Sequence, residues 1–300
     1  MSLKKMMKLA LMEKMINYLD LYKKGSEALV GAGIADASLD ARLLLEYICG
    51  TDHNTLLVHG DMPVEDDKAE RYMELISKRA AREPLAYILG EQEFMGLDFT
   101  VSEDVLIPNQ DTEVLVEEAL RYVSEGMRIL DLCTGSGCIA LSILNYSNGT
   151  TAVATDISEK ALEIAGKNAE RHGLQDRYTA HHADLYELKD ASGDAELGKF
   201  DIIVSNPPYI PTKIIDTLEP EVRVHEPFIA LDGKEDGLFF YRKIVENVDK
   251  YLLSNGWLLM EIGYDQGESV KALMENKGFK EVEIVKDLGG NDRVVLGCYY

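Results

Sequence analysis

The most chemically informative segment of the sequence is Asn206-Pro207-Pro208-Tyr209, which follows the apolar run 200–205. Pro207 has a fixed φ and no N–H, and it pushes Asn206 toward extended backbone, so the turn is stiff. Asn206 offers an amide oxygen as an acceptor, and Tyr209 offers a flat face for stacking. The Asn206 side-chain oxygen and the Pro207 carbonyl can therefore bind both hydrogens of a planar NH₂ group. A proline-rich turn without any catalytic role is the alternative.

A glycine-rich segment provides a candidate cofactor site: Asp131-Leu132-Cys133-Thr134-Gly135-Ser136-Gly137. Gly135 and Gly137 permit positive φ and close approach of the backbone to a ligand. The free N–H groups at the start of the following helix point at that ligand. Asp156 ends the next predicted strand, where an acid can hold both hydroxyls of a ribose.

The acid beside the glycines separates two classes of cofactor. The segment satisfies the dinucleotide fingerprint G-x-G-x-x-A, but the Asp131 carboxylate would repel a pyrophosphate. It would suit the cationic ammonium of S-adenosylmethionine (SAM), which carries no phosphate, so SAM is favoured over NAD. A strand-to-helix turn without a ligand would explain the glycines but not the acids at the two strand ends.

A third strand end contributes Asp184 and Leu185. Strand ends of this kind line the ligand crevice of an α/β sheet. Asp184 can accept a hydrogen bond from an adenine amino group, and Leu185 can pack on the ring. The alternative is that Asp184 only caps the next segment.

Together these segments predict methyl transfer from SAM to a planar NH₂ group. Asn206 and Pro207 would hold the nitrogen in line with the methyl group and favour localisation of its lone pair. Positioning and electrostatics then supply most of the catalysis. No strong base is needed beforehand, because methylation itself makes the nitrogen acidic.

The elements that position these residues are predicted from residue 127 onward as alternating strands and helices, which indicates a mainly parallel α/β sheet. The final pair must be antiparallel, because its connection is short. The predicted strands are Arg128–Leu132, Ala152–Asp156, Tyr178–His182, Phe200–Ser205, Trp257–Ile262, Glu281–Val285 and Val294–Cys298, and the helices are 138–145, 158–172, 236–253 and 266–276.

The first part of the chain follows a helical period. Residues 1–90 are predicted to form a small helical bundle that begins with a Lys-rich amphipathic helix. Residues 91–108 are predicted to form a β-hairpin linker, and residues 109–300 the catalytic domain. A helix from about Asp111 to Ser124 has Asp111 and Thr112 as candidate caps.

Composition excludes several classes of protein. The 300 residues carry 31 Lys and Arg against 53 Asp and Glu, a net charge of −22, which disfavours direct binding to nucleic acid. No apolar run is long enough to span a membrane. The four cysteines, Cys49, Cys133, Cys138 and Cys298, lack zinc-site spacing, so no metal is expected, and reduced cysteines suit a cytoplasmic protein.

At these residues the chain resembles the class I SAM-dependent methyltransferases that modify planar nitrogens, and within them the HemK/PrmC family of peptide chain release factor N5-glutamine methyltransferases. The further matching stretches are Glu83–Gly90, Phe94–Phe99, Leu106–Pro108 with Asp111–Glu113, Glu226–Gly233, Asp236–Leu238 with Tyr241-Arg242, and Lys286–Leu288 with Asp292-Arg293. The resemblance implies a Rossmann-like, seven-stranded, mostly parallel sheet with an antiparallel last strand.

The resemblance also implies a substrate, the glutamine of the Gly-Gly-Gln motif of class 1 release factors. It implies that the turn residues Asn206 to Tyr209 hold that glutamine, that the helical bundle helps dock the release factor, and that the SAM site contains Asp131, Cys133, Thr134, Gly135, Ser136, Gly137, Asp156, Asp184, Leu185 and Asn206.

Two positions depart from the family pattern. Asn109-Gln110 stands where the family has Arg-Pro, and Cys133 stands where it has Gly. The Cys133 backbone is therefore not expected to adopt the angles reserved for glycine.

Two other functions stay open at this point. An adenine-N6 methyltransferase shares the Asn-Pro-Pro-Tyr turn, because adenine also presents a planar NH₂ group. The acidic charge argues against it, since an enzyme acting on a duplex needs a basic groove. A non-catalytic SAM- or NAD-binding module is the third hypothesis, and the intact turn argues against that one.

Overall fold

A computed structural model describes residues 16–188 and 198–300. The chain divides into two compact units between Leu89 and Gly90. The Lys-rich helix predicted at the start of the chain lies outside the described residues as far as residue 15. Within the described ranges, no helix is long and apolar enough to cross a membrane.

The first unit is helical, as predicted. Its helices are α1 (Tyr18–Gly31), α2 (Ala37–Cys49), α3 (His53–His59), α4 (Asp66–Ala80) and α5 (Leu85–Leu89). They enclose one apolar core in which Leu29, Leu44 and Tyr72 are completely buried. This agrees with the 3.6-residue spacing of apolar side chains in the sequence.

The second unit begins with the predicted hairpin, β1 (Glu91–Phe94) and β2 (Leu97–Thr100). Phe94 and Phe99 are buried in the core of this unit, so the hairpin belongs to it and does not form a separate linker.

The next helix, α6 (Gln110–Tyr122), has a different cap from the one predicted. The Asn109 side-chain oxygen accepts a hydrogen bond from the N–H of Asp111, at 3.0 Å. The prediction that Asp111 or Thr112 caps this helix is wrong, because both residues lie within its first turn. A residue that departs from the family pattern therefore provides the cap.

Among the described residues, the main sheet contains eight strands in the order β6-β5-β4-β3-β7-β8-β10-β9. β3, β4, β5, β7 and β8 are parallel, and β10 is antiparallel to both of its neighbours. The predicted seven-stranded arrangement is confirmed, and the two-residue β6 adds an antiparallel edge. The strands are β3 (Arg128–Leu132), β4 (Thr151–Asp156), β5 (Tyr178–Asp184), β6 (Glu187–Leu188), β7 (Phe200–Ser205), β8 (Leu252–Glu261), β9 (Lys280–Lys286) and β10 (Asp292–Tyr299).

Helices connect the strands and cover both faces of the sheet. They are α7 (Cys138–Tyr146), α8 (Glu159–Arg171), the short α9 (Thr212–Ile215) and α10 (Phe228–Leu231), α11 (Phe239–Asn247) and α12 (Gly267–Lys277). Alternate residues of one strand enter different cores, as Ile202 and Ile203 do. Burial on both faces explains why the central strands β3, β7 and β8 contain runs of consecutive apolar residues.

One boundary differs from the prediction by several residues. The helix predicted over 236–253 ends at Asn247, and β8 begins at Leu252 and not at Trp257. The register of β8 against β7 shifts between Phe200 and Ile202, and Asn255 has a left-handed φ of +64°. This bulge interrupts the alternating pattern, so the first residues of the strand cannot be recognised from periodicity.

Candidate active site

The glycine loop between β3 and α7 is fixed by backbone hydrogen bonds. The Thr134 N–H donates to the Thr155 carbonyl on β4 (3.0 Å), and the Gly137 N–H donates to the Thr134 carbonyl (2.9 Å). Gly135 and Gly137 have φ of +54° and +81°, as a loop of this kind requires.

The two glycines have different roles. A Cβ at Gly137 would lie 3.0 Å from Leu141 Cδ1 and 3.2 Å from Ala165 Cβ, whereas a Cβ at Gly135 would meet no atom within 4 Å. Gly137 therefore allows helices α7 and α8 to pack closely. Gly135 leaves open space beside the loop.

Cys133 adopts a backbone conformation that the sequence did not lead us to expect. Its φ is +62°, in the left-handed region. An L-residue can occupy this region at a cost of about 1–2 kcal/mol, so cysteine follows the path that glycine would take. Leu185 is similar, with φ of +56°. Both residues line the same cavity, and such local strain is typical of ligand sites.

Asp156 joins the glycine loop to the end of β4. Its Oδ2 accepts a hydrogen bond from the Gly135 N–H and its Oδ1 accepts one from the Ser158 N–H, both at 2.9 Å. Burial raises the pKa of Asp156, while these backbone bonds lower it. Each oxygen keeps a free lone pair, so the carboxylate can still accept hydrogen bonds from a ligand.

Asp131 lies deeper than expected. It is completely buried, and its Oδ2 accepts a hydrogen bond from the Thr134 hydroxyl at 2.6 Å. Its Oδ1 has no hydrogen-bond partner among the described residues. Burial raises the pKa of Asp131 to about 7, although the bond from Thr134 opposes that shift. Asp131 is not on the wall of the cavity.

A cavity of about 370 Å³ brings most of the predicted site residues together. This volume falls within the range of roughly 300–1,000 Å³ that is usual for small-molecule sites. Asp131, Gly137, Pro207 and Tyr209 are not among its lining residues. The predicted residues that line it are Cys133, Thr134, Gly135, Ser136, Asp156, Asp184, Leu185, Asn206 and Pro208.

The Asn-Pro-Pro-Tyr turn is held by distant parts of the chain. The Gln266 amide donates to the Tyr209 carbonyl at 2.9 Å. A Cβ at Gly233 would come within 2.6 Å of the Tyr209 carbonyl carbon, so only glycine fits there. The Tyr209 hydroxyl donates to Glu261 Oε1 at 3.3 Å. Tyr209 thus packs behind the turn, and its stacking on a substrate stays a prediction.

Asn206 lies on the cavity wall at the end of β7. Its Nδ2 donates to the Thr112 hydroxyl at 3.3 Å. Thr112 also lines the cavity and is almost completely buried. The sequence predicts only a capping role for Thr112 and does not indicate that it lies beside Asn206. No local pattern signals it, because the two residues meet only in the folded chain.

The opposite wall contains cavity residues that the sequence analysis also missed. Phe239, Phe240 and Lys243 of α11 line it. The Lys243 ammonium lies 3.9 Å from Asp184 Oδ2 and 5.0 Å from the centre of the Phe239 ring. Lys234, a second lysine on the wall, pairs with Asp232 at 2.8 Å. Both cations are thus already partnered by carboxylates.

Within residues 16–188 and 198–300, no three His, Cys, Asp or Glu side chains gather as a metal site would require.

Two family models match the chain. The PrmC N-terminal domain matches residues 20–90, and the methyltransferase small domain matches residues 108–219. The first match falls on the helical unit, and the second contains the glycine loop and the Asn-Pro-Pro-Tyr turn.

Individual proteins match over most of the chain. A release factor glutamine methyltransferase of Agrobacterium fabrum is 43% identical over 273 residues, which are 89% of this chain and 92% of that protein. One of Geobacter sulfurreducens is 44% identical over 265 residues, or 88% and 90%. The crystal structure of a Pyrococcus furiosus methyltransferase has a TM-score of 0.50 at 16% identity, covers 77% of this chain and 98% of its own, and shows the shared fold.

Proposed function

This chain belongs to the release factor glutamine methyltransferase family, and we propose that it methylates the side-chain amide N5 of the glutamine in the Gly-Gly-Gln motif of class 1 release factors. The observation that carries the proposal is that one cavity contains both the glycine loop with Asp156 and the Asn206 side chain. The proposed cofactor site and the proposed site for the planar amide would therefore be contiguous.

We propose SAM as the methyl donor, and the charges of the cavity fit it. The cavity wall carries the three carboxyl groups of Asp104, Asp156 and Asp184 against the two ammonium groups of Lys234 and Lys243, so acids outnumber bases by one. A cationic sulfonium is favoured in such a site, whereas a pyrophosphate is not. When bound, SAM supplies an electrophilic methyl group.

Individual residues have distinct proposed roles toward the cofactor. Asp156 would accept hydrogen bonds from the ribose hydroxyls, using the lone pairs that Gly135 and Ser158 leave free. Asp184 would accept one from the adenine amino group, and Leu185 would pack on the ring. The loop would be shaped by Cys133, Thr134, Gly135, Ser136 and Gly137. Asp131 would act from behind the loop, since it is buried and does not line the cavity.

The Asn-Pro-Pro-Tyr turn would position the substrate amide. The Asn206 side-chain oxygen and the Pro207 carbonyl would accept hydrogen bonds from the two N–H groups of the glutamine. Pro208 and Tyr209 would hold the turn and contact the substrate. These two acceptors stabilise the nitrogen as it gains positive charge, so positioning and electrostatics provide the catalysis.

We propose a class 1 release factor as the partner and the cytoplasm as the place of action. An acidic enzyme with a net charge of −22 is expected to bind a basic surface of a protein that works on RNA. Raising the salt concentration should therefore weaken the complex. The helical first unit is proposed to contribute to this docking.

The deciding experiment incubates the protein with methyl-labelled SAM and either a class 1 release factor or adenine-containing DNA. We expect label on the release factor, and mass spectrometry should place it on the glutamine of the Gly-Gly-Gln motif. A release factor with that glutamine changed to alanine is the matched control and should stay unlabelled. Label on DNA alone would overturn the proposal in favour of an adenine-N6 methyltransferase.

A further inference from the structure

A polar chain extends from the cavity wall into the interior of the sheet. It starts at Asn206, whose Nδ2 donates to the Thr112 hydroxyl at 3.3 Å. It ends at Glu261, the last residue of β8, which is 3% exposed. The neighbouring Thr112 hydroxyl lowers the pKa of the Glu261 carboxyl, so the two side chains lie next to each other. The Tyr209 hydroxyl donates to Glu261 Oε1 at 3.3 Å, whereas Oε2 accepts no hydrogen bond from the described residues.

The orientation of the Asn206 amide decides whether this site works. The amide presents either an oxygen, which accepts hydrogen bonds, or an NH₂ group, which donates them. A substrate NH₂ group needs the oxygen. In the rotated amide, two NH₂ groups would face each other, and neither could accept.

We propose that Thr112 and Glu261 are positioning residues that fix the Asn206 amide with its oxygen toward the substrate. An ionised Glu261 can only accept, so the Thr112 hydroxyl donates its one proton to the carboxylate. The Thr112 oxygen is then left as an acceptor for the Asn206 Nδ2, and Oδ1 is directed away from Thr112. The inference rests on the proposed function, since it concerns the acceptor for the substrate amide.

If Glu261 were protonated, the orientation of the Asn206 amide would no longer be fixed. A protonated carboxyl can donate to Thr112, which frees the Thr112 proton to bind Asn206 Oδ1 and so accommodates the rotated amide. Burial raises the pKa of Glu261 to about 7. Turnover should therefore fall as the pH is lowered through that value. The ionisable groups that face Glu261 from the surrounding elements are Tyr209, Tyr241, Arg293, Asp111 and Cys138.

The test compares Thr112→Val with Thr112→Ser. Valine preserves the shape but has no hydroxyl, and serine restores it. We expect Thr112→Val to lower kcat about 10-fold to 100-fold, as the loss of one positioning contact does. KM for the release factor and Kd for SAM should change little, since binding is not what is lost. Thr112→Ser should recover most of the activity. Thr179→Val, on an exposed position of β5, is the matched control and should behave as wild type.

A second variant keeps the inference testable if Thr112→Val is unstable. Glu261→Gln cannot ionise, so at saturating SAM its kcat should be lower than that of wild type at pH 8. In addition, kcat of wild type should fall below pH 7, whereas kcat of Glu261→Gln should not. Burial also raises the pKa of Asp131 to about 7. Because Asp131 is unchanged in this variant, a fall in kcat at low pH that is caused by Asp131 would persist.

The outcomes separate this inference from the proposed function. A wild-type protein that leaves the release factor unmethylated would overturn the proposed function. An active wild type together with an equally active Thr112→Val would overturn only the positioning role. A Thr112→Ser variant as defective as Thr112→Val, or an acid limb that persists in Glu261→Gln, would also overturn it.

Discussion

The glycine loop and the Asn-Pro-Pro-Tyr turn face the same cavity, but their supporting contacts come from different parts of the chain. The loop is held by its own neighbours in sequence and by the adjacent strand, through the Thr134–Thr155 and Gly135–Asp156 hydrogen bonds. These partners come from a single β-α-β unit. The hydrogen bonds of the loop therefore need only that unit, although Asp184 and Leu185, at the end of β5, also line the cavity.

The turn depends on partners from the whole of the second unit. Thr112 comes from α6, Gly233 from the segment after α10, Glu261 from β8, and Gln266 from the residues before α12. Cofactor binding and amide positioning are therefore expected to fail separately. Substitutions around the loop should affect SAM affinity, and those around the turn should affect turnover.

The largest expected effect comes from Asn206→Ala. It removes the acceptor for the substrate amide, so turnover should fall roughly 100-fold to 1,000-fold. Calorimetry should find SAM affinity largely preserved. Asn148→Ala, at an exposed position, is the control. Loss of SAM binding with high residual activity would contradict the separation of cofactor binding at the glycine loop from amide positioning at the turn.

A somewhat smaller effect is expected from Gly233→Ala. The new Cβ would overlap the Tyr209 backbone, so the free energy of unfolding in urea should fall by about 1–3 kcal/mol. Turnover should fall as well, because the turn must shift. Gly166→Ala in α8 meets no atom within 4 Å and should stabilise the protein by about 0.4–1 kcal/mol. Equal unfolding energies for the two variants would refute the clash.

Asp156→Ala tests the other side of the cavity. It removes the proposed ribose acceptor and the partner of the Gly135 N–H, so SAM affinity should fall about 10-fold, equivalent to ~1.4 kcal/mol. At saturating SAM, kcat should change less than in Asn206→Ala. Asp176→Ala, an exposed acid after α8, serves as the control in calorimetry. Unchanged affinity in Asp156→Ala would refute the ribose contact.

The smallest effect concerns Cys133, whose left-handed backbone costs energy. Cys133→Gly relieves that cost, whereas Cys133→Ala keeps it, and both lose the thiol. The glycine variant should therefore exceed the alanine variant in unfolding free energy by about 1 kcal/mol. Chemical denaturation measures the difference. If alanine proved the more stable, the strain at this position would be absent.

The same contrast explains what the sequence could predict. The glycine loop, Asp156 and the succession of strands along the chain follow local patterns, namely apolar runs, glycines and acids at strand ends. Asp131 was placed correctly at its strand end, but its complete burial was not predicted, since the motif does not say which way a side chain faces.

The contacts that hold the Asn-Pro-Pro-Tyr turn could not be predicted, because they are tertiary contacts between residues far apart in the sequence. Thr112 reads as a helix cap and Glu261 as the charged end of an apolar strand. Only the packing of α6 beside β8 brings them to Asn206. Asn109 departs from the family pattern in the sequence, and only the folded backbone shows that it caps α6.

The central position of β7 has a consequence for the time scale of motion at the site. β7 lies between β3 and β8, and the Ser205 hydroxyl, next to Asn206, donates to the Leu132 carbonyl at 2.8 Å. Amides in such a central strand exchange with solvent only through the most global opening of a domain, whereas edge strands such as β6 and β9 fray far more often. Asn206 is thus attached to the slowest-opening part of the second unit, so the geometry of its turn persists across many turnovers.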